Sequence, residues 1–246
     1  MRIAILLFAI TVIITGCFSA KTAVSSVPKI PAKFDFSPPS RTAAGATAMT
    51  IALIKPVYIT ENPEYYVSPF PEMSTNMADD FEEMLTAKGF KIRGPFRSRD
   101  EMVYNDKQSC DFAFIAEIDL RPNYNRKYKY DPGMGVVIPA SYKMNGEITL
   151  GGNLVLTASS PQYGEKIWKK NIALDKATFT YSGSLKWKEL PSVADELKQD
   201  NEFYNLLSRE LEKFYDKAMF LAWQQIEAAE MKTVAEQAKK ADKRSN

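Results

Sequence analysis

The chain has 246 residues, 45% of them apolar, with 32 basic and 30 acidic side chains and a net charge of +2. Near-neutrality excludes the broad cationic field that gathers nucleic acid through many phosphate contacts. Histidine is absent and only two cysteines occur, which excludes imidazole bases, histidine-activated nucleophiles and imidazole metal ligands.

The chain opens with Arg2, an uncharged apolar run from Ile3 to Ile14, then Thr15-Gly16-Cys17. That order reads as an export signal, residues 1–16, cleaved just before a cysteine. The run is too short for a hydrocarbon core that needs roughly 20 residues. The Cys17 thiol is therefore the expected lipidation site, alkylated with diacylglycerol and carrying palmitate-type chains. One acyl chain binds a membrane only marginally, whereas two or three on one cysteine hold it firmly. The alternative is an ordinary secretory signal with an incidental cysteine. Phe18, where an aspartate would signal inner-membrane retention, is compatible with sorting to the outer membrane. Cleavage removes one charge, Arg2, so the balance falls from +2 to +1.

Residues 17–48 read as the lipidated cysteine followed by a solvated tether. They are rich in Ser, Thr, Ala and Lys, with prolines at 28, 31, 38 and 39, and such a segment buries too little apolar surface to fold. Phe34 and Phe36 offer an alternative in which the segment docks on the domain. A single α+β domain is expected over 49–230. Its first strand is Thr50 to Ile54, stopped by Pro56. An aromatic, proline-rich stretch to Pro71 reads as a packed loop. Met77, Phe81, Met84 and Leu85 then mark one face of a helix that Lys88-Gly89 ends, and Phe90 to Arg93 gives a short strand.

A second short helix over 98–107 leads to a strand from Phe112 to Arg121. Its even positions face one way, and Glu117 and Asp119 the other. Cys110, just before it, reads as a small buried residue, with a reactive or dimer-bridging thiol as the alternative. It would be the one thiol left after lipidation, so no intramolecular disulfide is expected. Residues 122–135 read as a loop. Ile148, Leu150, Leu154 and Leu156 alternate with polar residues along the next strands, and Gly151-Gly152 predicts a bulge or a close backbone approach. The turn 160–164 leads to a partner strand over 166–174, and 179–187 reads as a polar, aromatic connection. From Asn201, Phe203, Leu207, Leu211, Phe214, Ala218, Leu221 and Ile226 form the apolar stripe of one long helix. Residues 231–246 read as a frayed, charged tail. The order predicts an α+β fold: a mostly antiparallel sheet, helices packed on one face and a long C-terminal helix.

Two constellations carry chemistry. From Arg121 to Tyr130 four cations interleave with three tyrosines. Arg126, Lys127 and Lys129 could hold an anionic ligand while Tyr124, Tyr128 and Tyr130 stack on it. The alternative is a solvated hairpin connection whose lysines discourage edge pairing. Glu117 and Asp119 could mimic an acid/base pair, or simply belong to a solvated face. The sequence has no glycine-rich phosphate loop, nucleophile elbow or acidic metal loop. No enzyme activity, cofactor or metal is expected.

The ordered series resembles the neuraminyllactose-binding haemagglutinin, or adhesin, lipoproteins of Helicobacter and its relatives. The resemblance runs through the cysteine at 17, Lys88-Gly89-Phe90-Lys91, Leu120-Arg121-Pro122, the basic stretch closed by Asp131-Pro132-Gly133, Val137-Ile138-Pro139-Ala140 and the lysine-rich C-terminus. It implies an outer-membrane or flagellar-sheath lipoprotein binding sialylated glycans, with Arg126, Lys127 and Lys129 at the family's basic sialic-acid stretch. Here tyrosines replace polar residues of that stretch. The expected partners are membrane lipid through acylated Cys17 and either a sialylated glycan or an envelope protein; a homodimer stays open and nucleic acid is not expected. The competing reading is a periplasm-facing structural lipoprotein that docks onto an envelope or flagellar-sheath complex.

Overall fold

The computed structural model describes residues 27–134, 141–185 and 191–244. The signal sequence, Cys17, residues 18–26, the segment Val137–Ala140 and Trp187 lie outside the described residues.

One mixed, mostly antiparallel six-stranded sheet carries the fold. Strands β1 (Thr50–Tyr58), β2 (Lys91–Phe96) and β3 (Phe112–Leu120) are parallel, with β1 between the other two. The long strand β5 (Ser141–Ser159) runs antiparallel to three neighbours. Its second half pairs with β3 and its first half with β4 (Asn123–Asp131), while β6 (Lys166–Leu185) follows it along nearly its whole length. β3 and β4 thus lie end to end along one edge of a long β5–β6 hairpin. At their junction Gly152 has φ +147°, and a Cβ there would stand 1.9 Å from the Asp119 carbonyl oxygen. The register of β5 against β6 shifts between Leu150 and Gly152. The glycine pair does mark a bulge with a close backbone approach, as its sequence suggests.

Two regions expected as connections are strands instead. β4 occupies the loop assigned to 122–135, and β6 continues past Leu174 through most of 179–187. Both have period-two patterns whose inward positions include polar or aromatic residues, so apolar alternation alone passes over them.

Helix α1 (Phe70–Ala87) buries Phe70, Met73, Met77, Phe81, Met84 and Leu85. Gly89, at φ +89°, ends it: its N–H bonds the Thr86 carbonyl, and the Phe90 N–H bonds that of Leu85 at 3.1 Å. That is the Schellman arrangement, sealed by buried Leu85 and Phe90. The chain steps from β1 to β2 in one direction across the sheet and from β2 to β3 in the other. Right-handed crossovers then require their connections on opposite faces. The packing agrees: Ile51, Leu53 and Phe114 share the core of α1, whereas Ala52, Ile54 and Ala113 pack with Met102 and Cys110 beside the short α2 (Tyr104–Ser109).

On the α1 face also lie α3 (Val193–Gln199), α4 (Asn201–Gln225) and α5 (Ala228–Arg244). The long C-terminal stripe is present, with an interruption at Ile226-Glu227. The tail expected to fray from residue 231 is instead docked helix. Met231, Val234, Ala235, Ala238 and Ala241 are buried, and the small side chains let α5 lie close to the sheet. Glu230 accepts from Trp168 at 2.8 Å and Lys170 at 2.7 Å, Lys239 pairs with Asp111 at 2.7 Å, and Ser160 bonds Asp242.

The tether is also shorter than expected. From Val27 the chain runs as a strap along α4: the Val27 and Pro28 carbonyls accept from Asn201 and Asn205, and the Lys33 N–H donates to Glu212. Phe34 and Phe36 are buried, Phe34 at 5.2 Å from the Tyr215 ring. The Phe36 N–H and the Tyr215 hydroxyl both donate to Asp80, whose carboxyl burial pushes up while those bonds oppose the shift. Two phenylalanines with fixed hydrogen bonds beside them outweigh the proline-rich composition, because each buried ring contributes about 2–3 kcal/mol.

Candidate functional site

β4 holds all six candidate ligand residues, and pairing with β5 from Asn123↔Thr149 to Asp131↔Ser141 fixes which way each points. The pleat divides them. Tyr124, Arg126 and Tyr128 turn toward the helices, whereas Lys127 and Lys129 are exposed on the opposite face; Tyr130, at the strand end, is 55% exposed. The six do not form one patch.

The inward set forms a buried polar latch. Arg126 Nη1 lies 2.6 Å from Glu196 Oε2 of α3 and donates to the Tyr128 hydroxyl at 3.2 Å. Its guanidinium carbon sits 5.1 Å from the Tyr124 ring centre and 5.6 Å from that of Phe203 in α4, within cation–π range. Tyr124 donates to Glu64 Oε1 at 3.1 Å, in the turn Pro63–Tyr66. On the same rung as Arg126, Tyr181 of β6 donates to Asp200, which caps α4 by accepting from the Glu202 and Phe203 N–H groups. The Arg126 side chain is 9% exposed and that of Glu196 0%. Burial pushes the Glu196 carboxyl up to about 7; Arg126 opposes that rise and Asp200 adds to it. Burial also raises Glu64, against its Tyr124 bond and Arg126. The Tyr124 hydroxyl is raised too, first by burial and then by Glu64. This arrangement clamps β4, α3 and α4 together, and it leaves Arg126 no open fork for a glycan carboxylate.

The outward set is different in kind. Lys129 stands opposite Lys143 and Lys127 opposite Asn145, with Ser182 and Thr180 on β6 continuing the polar face. Lys143 lies 3.8 Å from Asp131. Lys127, Lys129 and Lys143 make an exposed row of ammonium groups, able to attract an anion as point charges without bidentate geometry.

The remaining candidates have structural partners. Asp119 accepts two bonds from Arg121, at 2.9 and 2.7 Å, which hold its carboxyl below the usual range; Glu117 accepts from Thr157 at 3.4 Å. Cys110 is buried and its thiol is raised by burial. In the aromatic stretch that reads as a packed loop, Tyr65 stacks on Tyr58 at 4.4 Å and donates to the Leu120 carbonyl at 2.6 Å, while Phe70 is fully buried. Among the described residues no cluster of three or more carboxylates or thiols could hold a metal, and no helix is long and apolar enough to cross a membrane. Sequence reading missed Glu64 and Glu196: Glu64 stands in the aromatic, proline-rich stretch and Glu196 in an acidic, polar segment, and nothing local marks either carboxylate for burial.

No family model matches this chain, and no curated protein matches it. Among solved structures, a homologue of the neuraminyllactose-binding haemagglutinin from Helicobacter pylori is similar at 13% identity and TM-score 0.57, covering 86% of this chain and 100% of that one. That likeness shows a shared fold. A minor lipoprotein from Acinetobacter baumannii (13% identity, TM-score 0.21, 74% of this chain and 92% of that one) also matches. So does a lipoprotein from Neisseria meningitidis (9%, 0.26, 67% and 96%). At those scores they add nothing to the fold assignment.

Proposed function

We propose that this chain is a non-catalytic bacterial envelope lipoprotein, anchored in the outer membrane through acylated Cys17, whose body docks onto a partner close to the lipid surface. The observation that carries this reading is the strap. Because the chain is already packed at Val27, at most residues 18–26 separate an anchor at Cys17 from the body. That span reaches about 35 Å fully extended and roughly 18 Å as a coil. A leash this short suits an accessory subunit of an envelope or flagellar-sheath assembly better than a body that must reach a host cell. Metabolic labelling tests the anchor: Cys17→Ala should abolish palmitate incorporation and move the protein from the membrane to the soluble fraction. An unmodified wild-type terminus by mass spectrometry would end this reading.

The adhesin-like reading is supported by one feature, the exposed row Lys127, Lys129 and Lys143. If it holds, changing all three to Ala abolishes binding to sialylated glycans, and protease shaving of intact cells cleaves the protein. Protection from protease favours the docking role.

A further inference from the structure

We propose that the α3–α4 junction is a proton-controlled catch on the first part of the strap: neutral Glu196 keeps the junction docked and residues 27–33 held, and ionisation of Glu196 releases both.

The strap divides into two parts by the way it is held. Phe34 and Phe36 are buried, and the Phe36 N–H donates to Asp80. From Val27 to Lys33, by contrast, no side chain is buried, and Ile30 is 59% exposed. Polar contacts hold this part instead. Asn201 donates to the Val27 carbonyl at 2.8 Å, and Asn205 donates to the Pro28 carbonyl while accepting from the Ile30 N–H. Lys29 donates to the Leu197 carbonyl at 3.4 Å and lies over the Tyr204 ring, and the Lys33 N–H donates to Glu212. Except for Glu212, these partners all lie between Leu197 and Asn205. A segment held by exposed polar contacts opens at low free energy, so it follows the state of the junction.

Asp200 makes the junction one unit. Its N–H closes α3 on the Glu196 carbonyl at 2.7 Å, and its carboxylate caps α4. α3 has only 7 residues, and its buried side chains are Glu196 and Leu197. So short a helix does not persist undocked, and one of the two side chains that dock it is ionisable.

The geometry favours the neutral carboxyl. Glu196 is fully buried with Arg126 Nη1 2.6 Å away, yet neither carboxyl oxygen accepts a hydrogen bond of good geometry from the described residues, and Arg126 Nη2 also lacks a partner among them. An ionised carboxylate needs several donors in place of water. Around it stand Arg126 with Tyr128 on β4, and Glu64 with Tyr124 at the turn Pro63–Tyr66. Asp200 and Glu202 face it from α4, Tyr181 from β6 and Lys29 from the strap, with Asp195 and Lys198 on α3 itself. Burial dominates and pushes the Glu196 carboxyl up to about 7, against Arg126 and with help from Asp200. In an opened junction the group is solvated and titrates near its ordinary value of about 4.3. The docked form therefore holds the proton more tightly. Docking is strongest at low pH, weakens by up to about tenfold per pH unit as pH rises toward 7, and then levels off. On the anchored reading of Cys17, release lengthens the leash from at most residues 18–26 to 18–33, and its full reach from about 35 Å to roughly 60 Å.

Amide exchange tests the catch, followed residue by residue by NMR on the full chain between pH 5 and 8 and corrected for intrinsic rates. Protection at Ile30 in the strap and at Glu196 and Asp200 around α3 should fall together, on the order of fifty-fold between pH 5 and 7, with little change above 7.5. Phe90, at the end of α1, should stay far more protected at every pH, because only global unfolding exposes it. The Glu196 carboxyl, read by its 13C shift, should titrate over the same range. Glu196→Gln stays neutral and should keep Ile30 and Asp200 at their low-pH protection throughout. Lys29→Ala with Asn205→Ala cuts the strap side and should lower α3 protection by linkage. The proposal is overturned by protection that ignores pH in the wild type, or by Ile30 and Asp200 as protected as Phe90. A pH response that survives Glu196→Gln, or an α3 indifferent to the strap variant, overturns it equally. Exchange is read within the body, so such a failure leaves the Cys17 reading standing, and an unacylated Cys17 leaves the catch standing.

Discussion

Where β1, β2 and β3 meet, the sheet face beneath the helices is apolar: Ile51, Leu53, Phe112 and Phe114 lie against Met77, Phe81 and Met84 of α1. Beyond Gly152 the same face carries Tyr124, Arg126 and Tyr128 against Glu64, Glu196 and the first turn of α4. Both halves are buried, but they are held by different forces. In the first, stability follows apolar area removed from water. In the second, tyrosine rings supply area while two carboxyl groups and one guanidinium must satisfy one another in a poorly solvated site. The comparison teaches that burial in this protein is set by strand register and not by residue polarity. It also confines the pH-sensitive packing largely to the far half.

The largest expected effect is on the cation of the latch. Arg126→Ala leaves Glu196 buried without its partner and should cost about 3–5 kcal/mol in urea unfolding. Replacing the pair together, Arg126→Met with Glu196→Leu, should recover most of that loss; if it does not, the far half depends on more than this ion pair. In the near half Leu53→Ala should cost about 2–5 kcal/mol through cavity formation, with the same penalty at every pH.

The second effect is a slope. Glu196 titrates near 7 in the folded chain because burial favours its neutral form, against about 4.3 unfolded. The folded state holds that proton more tightly, so stability is greatest below the unfolded value and declines as pH rises toward 7. The decline is on the order of 3 kcal/mol. Glu196→Gln should flatten most of it in denaturation midpoints measured between pH 5 and 7.5. Glu64 and Asp80, also raised by burial, leave a smaller slope of the same sign. An unchanged slope in the variant would remove Glu196 as its source.

The smallest effect belongs to the outward row. Lys127→Ala with Lys129→Ala should change stability by no more than about 0.5 kcal/mol, although these residues are neighbours of Arg126 in sequence. A large loss would mean that the two faces of β4 are energetically coupled.

Much of the near half was legible because its signals are local. The period of Met77, Phe81 and Met84 placed α1, Gly89 supplied the left-handed residue that closes it, and the even positions of β3 named its core face. The Gly151-Gly152 pair likewise betrayed a bulge, since only glycine accepts the Asp119 carbonyl at that distance. The far half was misread for the opposite reason. The alternation Tyr124, Arg126, Tyr128 has the period of a strand, but its inward residues look like solvent-seeking ones until Glu64 and Glu196 are seen to meet them.

Taken alone, the sequence determined the α+β class, the helix stripes and the bulge, all of which depend on residue order within a few turns or strand lengths. Only the tertiary structure decided that Arg126 is a buried clamp while Lys127 and Lys129 are exposed, that residues 231–244 dock, and that the chain already lies against α4 at Val27. Those outcomes rest on contacts between segments far apart in the chain, from the Phe34–Tyr215 packing to the Arg126–Glu196 pair. A side chain's polarity cannot reveal whether a partner waits for it across the fold.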